Sequence, residues 1–245
     1  MEKTDSIYMI KAVLFDYGGT LDSNGIAWKE HFQEVYLKCR ISVKQEVFDR
    51  AFYDADDFLP TSHNLKGLGL EETLRLQIGD FLVNLNMRYA QDTPTRALSL
   101  FLSDCRASFA KNIPILEKLR RKYRLGIVSN FYGNLAAVLK SEGLDKYFDA
   151  VADSSVVGVT KPDPKLFLHA LDRLGASPAE AVMVGDSVKR DMAGAAAMGM
   201  PHALLWGDRF AHGNPIPCCG RDIILKDLSE LPDRIAALDK EGGKC

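Results

Sequence analysis

Five short apolar runs, each followed at once by small or polar residues, constrain this chain more than any other feature. They are Ile10–Phe15 before Asp16, Leu125–Val128 before Ser129 and Asn130, Ala150–Ala152 before Asp153, Ala181–Val184 before Gly185 and Asp186, and His202–Trp206 before the Gly- and Pro-containing loop 208–221. A run of this length that stops at a polar or glycine-rich bend reads as a buried strand. From Pro114 onward, helix-length segments lie between the runs. One begins at Pro114, which suits a first helical turn, and ends in the basic turn Arg120-Arg121-Lys122; others follow near 135–140, 164–174, 191–198 and 228–238. Gly175 marks a helix end, Ser177-Pro178-Ala179-Glu180 is a capping box, and Ile223–Leu225 is a candidate edge strand. Strands alternating with helices predict an α/β class, a doubly wound parallel sheet whose ligands sit at the C-terminal strand edge.

Between the first strand and the rest, residues 22–109 change character. Phe32, Val35, Tyr36 and Cys39 fall on one helical face, and the pattern recurs in Phe48–Leu59, Leu70–Leu85 and Leu98–Phe109. Breaks at 59–64, 66–69 and 92–94 separate about four helices. The expected organisation is an α/β core of residues 1–21 and 110–245 with a small all-helical domain, 22–109, over one sheet edge.

Composition excludes several classes. Among 245 residues, 26% are charged, the formal net charge is −2, and no Lys/Arg block stands out. That leaves no electrostatic footprint for nucleic acid or an anionic membrane. No apolar run reaches the roughly 18 residues of a membrane span, and the polar start Met1–Ser6 is no signal peptide, so a cytoplasmic protein is expected. Five cysteines (Cys39, Cys105, Cys218, Cys219, Cys245), without a Cys-x-x-Cys pair, read as reduced thiols.

The strand ends bring chemistry to one edge. Asp16 follows the first strand, Ser129 and Asn130 the second, and Asp186 the fourth, while Lys161 stands in the loop Thr160-Lys161-Pro162-Asp163-Pro164. Singly, a carboxylate at a strand end is an ordinary helix cap and Ser-Asn an ordinary turn. Together, two carboxylates, a hydroxyl and a lysine facing one crevice are the makings of a catalytic site.

At these residues the chain resembles the haloacid dehalogenase (HAD) superfamily. Asp16-Tyr17-Gly18-Gly19-Thr20-Leu21 resembles its DxDGT motif, Ile127-Val128-Ser129-Asn130 the second, Lys161-Pro162 the third, and Gly185-Asp186-Ser187 with Asp191 the fourth. The resemblance implies a Rossmann-like core with a helical cap and a Mg²⁺-dependent phosphatase of a small phosphorylated metabolite. Asp16 would attack phosphorus. Mg²⁺ would be held by Asp16, the Gly18 carbonyl and Asp186, with Asp191 supporting it through water. Ser129, with N–H groups near Tyr17, Gly18 and Asn130, would bind phosphate oxygens, Lys161 would offset charge and Thr20 would orient the loop. Gly18 and Gly19 are expected to let the backbone turn tightly and approach the anion.

Gly18 departs from the motif. Most family phosphatases carry there an aspartate that protonates the leaving group, a contribution on the order of 10²–10⁴ in rate. Four readings follow: a phosphatase with a good leaving group or another proton source; hydrolysis of a carbon–halogen or phosphonate C–P bond, the latter with a Schiff-base lysine such as Lys29, Lys38, Lys44 or Lys66; a weakly active or inactive ligand-binding protein; and a phosphomutase, which needs the missing acid twice. Trp28, Lys29, His31, Tyr53, His63 and Lys66 are cap residues that stand either in the pocket or in ordinary packing and solvent positions.

Overall fold

The computed structural model describes residues 9–87, 92–216 and 223–240. Cys218, Cys219, Cys245 and the segment Met1–Ser6 lie outside them. Six strands form one parallel sheet: β1 Ala12–Phe15, β2 Arg124–Ser129, β3 Ala150–Asp153, β4 Ala181–Gly185, β5 His202–Leu205 and β6 Ile223–Leu225, in the order β3-β2-β1-β4-β5-β6. The order reverses between β1 and β4, so a crevice opens there at the C-terminal edge.

The sheet is buried on both faces, which is why its strands read as continuous apolar runs. Successive residues alternate between two cores. Val13, Phe15, Leu125, Ile127, Val182 and Val184 join one cluster, while Ala12, Leu14, Val128, Ala181 and Met183 join the other. The second cluster is closed by α7 (Pro164–Leu174) and α8 (Ala193–Ala197) through Leu166, Phe167, Leu171 and Ala195. The first is continuous with α1 (Trp28–Lys38), α2 (Gln45–Ser62), α3 (Leu70–Asn84) and α4 (Thr93–Arg120), and with α5 (Leu135–Ser141) and α9 (Leu231–Lys240). A four-residue helix, α6 (Ser154–Val157), follows β3; it is too short to show as a periodic pattern.

The predicted strands, the end of α7 at Gly175 (φ +62°) and the capping box at Ser177 are all present. Two expectations fail, both at prolines. Pro114 does not begin a helix: it lies inside the 28-residue α4, so a boundary at 109/110 falls in mid-helix. An internal proline forfeits one backbone hydrogen bond and costs about 3 kcal/mol or more. Burying Phe109, Leu116 and Leu119 along the same helix, at about 1.5–3 kcal/mol each, outweighs that. Pro60 is likewise carried inside α2, past the predicted break at residue 59. The small-residue helix α8 ends at Ala197, one residue short of expectation, and the turn that leads into it, Val188–Met192, is π-helical.

Candidate active site

Strand register places the site. Phe15 pairs with both Ile127 and Val184, so Asp16, Ser129 and Asp186 emerge within one residue of the same level. The Asp16 N–H extends the ladder to Val184 O at 2.9 Å before the chain turns away. Three donors converge on Asp16 Oδ1: Ser129 Oγ at 2.8 Å, Lys161 Nζ at 2.8 Å and the Tyr17 N–H at 2.7 Å. Oδ2 is left as the freer oxygen.

Lys161 bridges two carboxylates. Its Nζ also lies 2.6 Å from Asp191 Oδ1, and all three side chains are buried. Burial works to lower the Lys161 pKa, but Asp16 and Asp191 outweigh it and hold the ammonium above the ordinary lysine value. Its backbone is clamped as well. The Lys161 N–H donates to Asn130 Oδ1 at 2.7 Å, and Asn130 Nδ2 donates to Lys161 O at 3.4 Å. The Asn130 side chain thus positions the lysine.

Asp16, Asp186 and Asp191 form a buried cluster whose carboxylate oxygens lie within 4.8 Å of one another. Burial, then repulsion from Asp16, pushes the Asp186 and Asp191 carboxyls up, Lys161 opposing this at Asp191. Asp186 Oδ1 is buried without a hydrogen-bond partner among the described residues. Three hard oxygen donors, one of them orphaned, fit a divalent cation better than an empty polar core. Local packing is built around this cluster. A Cβ on Gly19 (φ +83°) would sit 2.6 Å from the Asp186 carboxyl carbon, and one on Gly185 2.4 Å from that of Asp191. Asp191 Oδ2 accepts from the Ser187 N–H at 3.0 Å, which orients it across the π-helical turn. Arg209 braces the same edge, donating to Asp186 O at 2.7 Å and Leu205 O at 2.9 Å.

Several expectations change on inspection. Gly18 is not in the left-handed region, and a Cβ there would meet only a Trp28 ring carbon at 3.8 Å. The tight turn needs Gly19 alone; position 18 is open in space. Thr20 is fully buried, but its hydroxyl has no partner among the described residues, so it does not hold the loop by a side-chain hydrogen bond. Asp22 does so instead, accepting the Gly19 N–H at 2.7 Å. Desolvation raises the Asp22 pKa to about 8, with the Gly19 N–H opposing. The Tyr17 ring is an anchor beneath the loop, edge-on to Phe131 at 5.5 Å. Ser129 Oγ and the Tyr17 N–H both donate to Asp16 in this structure.

A cleft of about 90 Å³ lies over Asp16, walled by Gly18, Ser129, Asn130 and Lys161 below and by Trp28, Asp56, Phe131, Tyr132 and Arg190 around it. Trp28 is the one proposed cap residue that lines it. Lys29 pairs with Asp49 at 2.9 Å beside the exposed Tyr53, and His63 with Asp80 at 2.8 Å. His31 is buried against Phe101. None of Lys29, Lys38, Lys44 and Lys66 lines the cleft. Sequence reasoning missed Asp56, Gln77, Tyr132 and Arg190. Gln77 carried a usable signal: it sits inside the apolar stripe of α3, where a polar residue needs a partner.

A helix-capped parallel sheet with an aspartate cluster and a lysine at its switch point defines a hydrolase-type α/β site. The sequence profile of haloacid dehalogenase-like hydrolases matches residues 10–199, and the chain belongs to that family. The haloacid dehalogenase-like hydrolase domain-containing protein 3 of Mus musculus is 39% identical over 122 residues, 49% of this chain and 47% of that protein, so the match spans about half the length of this relative. Two solved structures cover nearly the whole fold. A HAD phosphatase from Thermococcus onnurineus is 28% identical with a TM-score of 0.55, covering 92% of this chain and 98% of its own. A 2-haloacid dehalogenase from Pseudomonas syringae is 26% identical with a TM-score of 0.54, covering 94% and 99%. Among the described residues no helix is long and apolar enough to cross a membrane.

Proposed function

We propose that this protein is a Mg²⁺-dependent phosphatase of small phosphorylated metabolites, working in the cytoplasm through a phospho-aspartate on Asp16, with residues 22–109 as its substrate-covering cap. Its relatives include a phosphatase and a dehalogenase at nearly equal similarity, so the choice rests on the site. The observation that carries it is the buried cluster Asp16, Asp186 and Asp191, with Asp186 Oδ1 unpartnered. A carbon–halogen bond needs no such cluster of hard donors, whereas a phosphate dianion beside a carboxylate needs charge neutralisation. The absence of a cap lysine from the cleft speaks against a Schiff-base route to C–P cleavage.

Asp16, the Gly18 carbonyl and Asp186 would hold the cation, with Asp191 behind them. When bound it supplies charge neutralisation for phosphate and nucleophile. The protein groups do the rest. Ser129, Lys161 and the Tyr17 N–H fix Oδ1 and turn the freer Oδ2 toward phosphorus. Lys161 sets a positive charge beside both the nucleophile and the developing phosphoryl charge. The backbone N–H groups of Gly18 and Asn130 would meet the phosphoryl oxygens. The cap wall leaves only a small cleft, which limits water near the phospho-aspartate.

The test is turnover of an aryl phosphate, whose leaving group needs little acid help. Metal-dependent turnover is expected, with loss of about four orders of magnitude or more in Asp16→Asn. Turnover that is indifferent to metal, or that survives Asp16→Asn, would overturn the reading.

A further inference from the structure

We propose that Asp56, on α2, performs the proton transfers for which residue 18 has no side chain: it protonates the leaving-group oxygen and then takes a proton from the attacking water. This rests on the phosphatase reading above. Asp56 and Asp16 line the same cleft of about 90 Å³, so both carboxyls face the space over the nucleophile.

The carboxyl is held by a chain of three side chains. Tyr132 Oη donates to Asp56 Oδ1, and Gln77 Nε2 donates to the same oxygen at 2.7 Å and to Tyr132 Oη at 3.1 Å. Trp28 Nε1 in turn donates to Gln77 Oε1 at 3.2 Å. The Trp28 ring is also what a side chain at position 18 would meet first, at 3.8 Å from its Cβ. One network therefore links the space of the absent aspartate to the carboxyl that is present. Both donors engage Oδ1, so a proton on Asp56 belongs on Oδ2.

Tyr132, Asp57, Gln77 and Arg190 are the polar and charged groups acting on this carboxyl. Burial raises its pKa, Tyr132 and Gln77 lower it by hydrogen bonding, Asp57 raises it and Arg190 lowers it, with a net upward shift. A carboxyl that holds its proton nearer neutrality is what an acid catalyst needs.

The chemistry balances. As an Asp16 oxygen bonds to phosphorus, the P–O bond to the leaving group breaks, and that oxygen takes the Asp56 proton to become a free alcohol. Water then attacks the phospho-aspartate, giving its proton to the Asp56 carboxylate. The P–O bond to Asp16 breaks, releasing inorganic phosphate and restoring both aspartates.

The experiment compares kcat/KM for aryl and alkyl phosphates, with Mg²⁺, in the wild type and in Asp56→Asn. Asparagine keeps an acceptor oxygen for Tyr132 and Gln77. The alkyl ester is expected to lose about 10²–10³-fold and the aryl ester less than tenfold, because only the alkyl leaving group depends on the acid. The alkaline limb of the alkyl profile should disappear in Asp56→Asn. It should move to higher pH in Tyr132→Phe, which removes a donor that favours the carboxylate. Adding Gly18→Asp to Asp56→Asn should restore alkyl turnover. Equal loss on both esters, or no loss on the alkyl ester, would overturn the role of Asp56 while leaving the phosphatase intact. Wild-type protein that turns over neither ester through Asp16 would overturn both readings at once.

Discussion

The floor and the wall of the cleft are built on different principles. The floor, Asp16, Ser129, Lys161, Asp186 and Asp191, stands on strand ends, one loop and the short π-helical turn after β4, and it is dense with charge. The wall includes Trp28, Asp56 and Tyr132, joined from behind by Gln77; it is mostly carried on helices and is linked by neutral donors to one carboxyl. Strand ends fix positions through register, so the floor is rigid by construction. Helix faces fix positions only through packing, so the wall can change residue types while the floor stays the same. Such a division lets one set of reacting groups serve different substrates.

Lys161→Met should separate the two regions most sharply. The lysine partners two buried carboxylates, and removing one member of a buried ion pair costs about 3–5 kcal/mol. Aryl-phosphate turnover should fall about 10²–10³-fold, and urea unfolding without metal should show the stability loss. A variant as stable and active as the wild type would mean that the floor is not held by this ion.

Gly19→Ala and Gly18→Ala form a matched pair. The first must accept φ +83° and move the Asp186 carboxyl, 2.6 Å from the new Cβ. Strain of about 1–2 kcal/mol and a roughly tenfold weaker divalent-cation affinity by calorimetry are expected. The second should change neither by a measurable amount, because its Cβ meets nothing nearer than 3.8 Å. Similar effects from both would show that the loop, and not the Asp186 contact, sets the floor.

Gly18→Asp sharpens the role of the wall. If acid at that position is all that is missing, alkyl-phosphate turnover should rise, by about tenfold where Asp56 already supplies part of the work. A fall would indicate that the new carboxyl repels its neighbours more than it helps.

Asp22→Asn should have the smallest effect on turnover and show instead in stability against pH. Burial raises the folded-state pKa of Asp22 to about 8, above the unfolded value near 4. The folded state therefore binds the extra proton between those values, and stability declines as pH rises through that window. Asparagine removes the ionisation and should flatten the decline by up to about 1.4 kcal/mol per pH unit, read from urea midpoints. An unchanged slope would mean that Asp22 ionises freely.

The floor was legible because chemistry at a parallel sheet edge follows from where apolar runs stop. Asp16, Ser129 and Asp186 needed no knowledge of side-chain packing to be placed together, and Lys161 joined them from its loop. Gly18 was legible as an absence, but its spatial openness was not, since that depends on Trp28 arriving from another element. Asp56 was hidden because it sits beside the apolar stripe of α2, where a polar residue is expected to face water. Pro114 misled for a related reason: local propensity favoured a helix start, and burial of the residues around it prevailed. Asn130 kept its place at the site but took an unforeseen task, because a reciprocal side-chain clamp onto a loop 31 residues away leaves no periodic trace.

That clamp has an entropic consequence. A lysine carries about 2 kcal/mol of rotamer freedom in its four-carbon stem. Here the backbone end is tied by Asn130 and the ammonium end by two carboxylates, so the freedom is surrendered when the chain folds. An arriving ester finds the charge already stationary, and nothing of the lysine remains to be ordered.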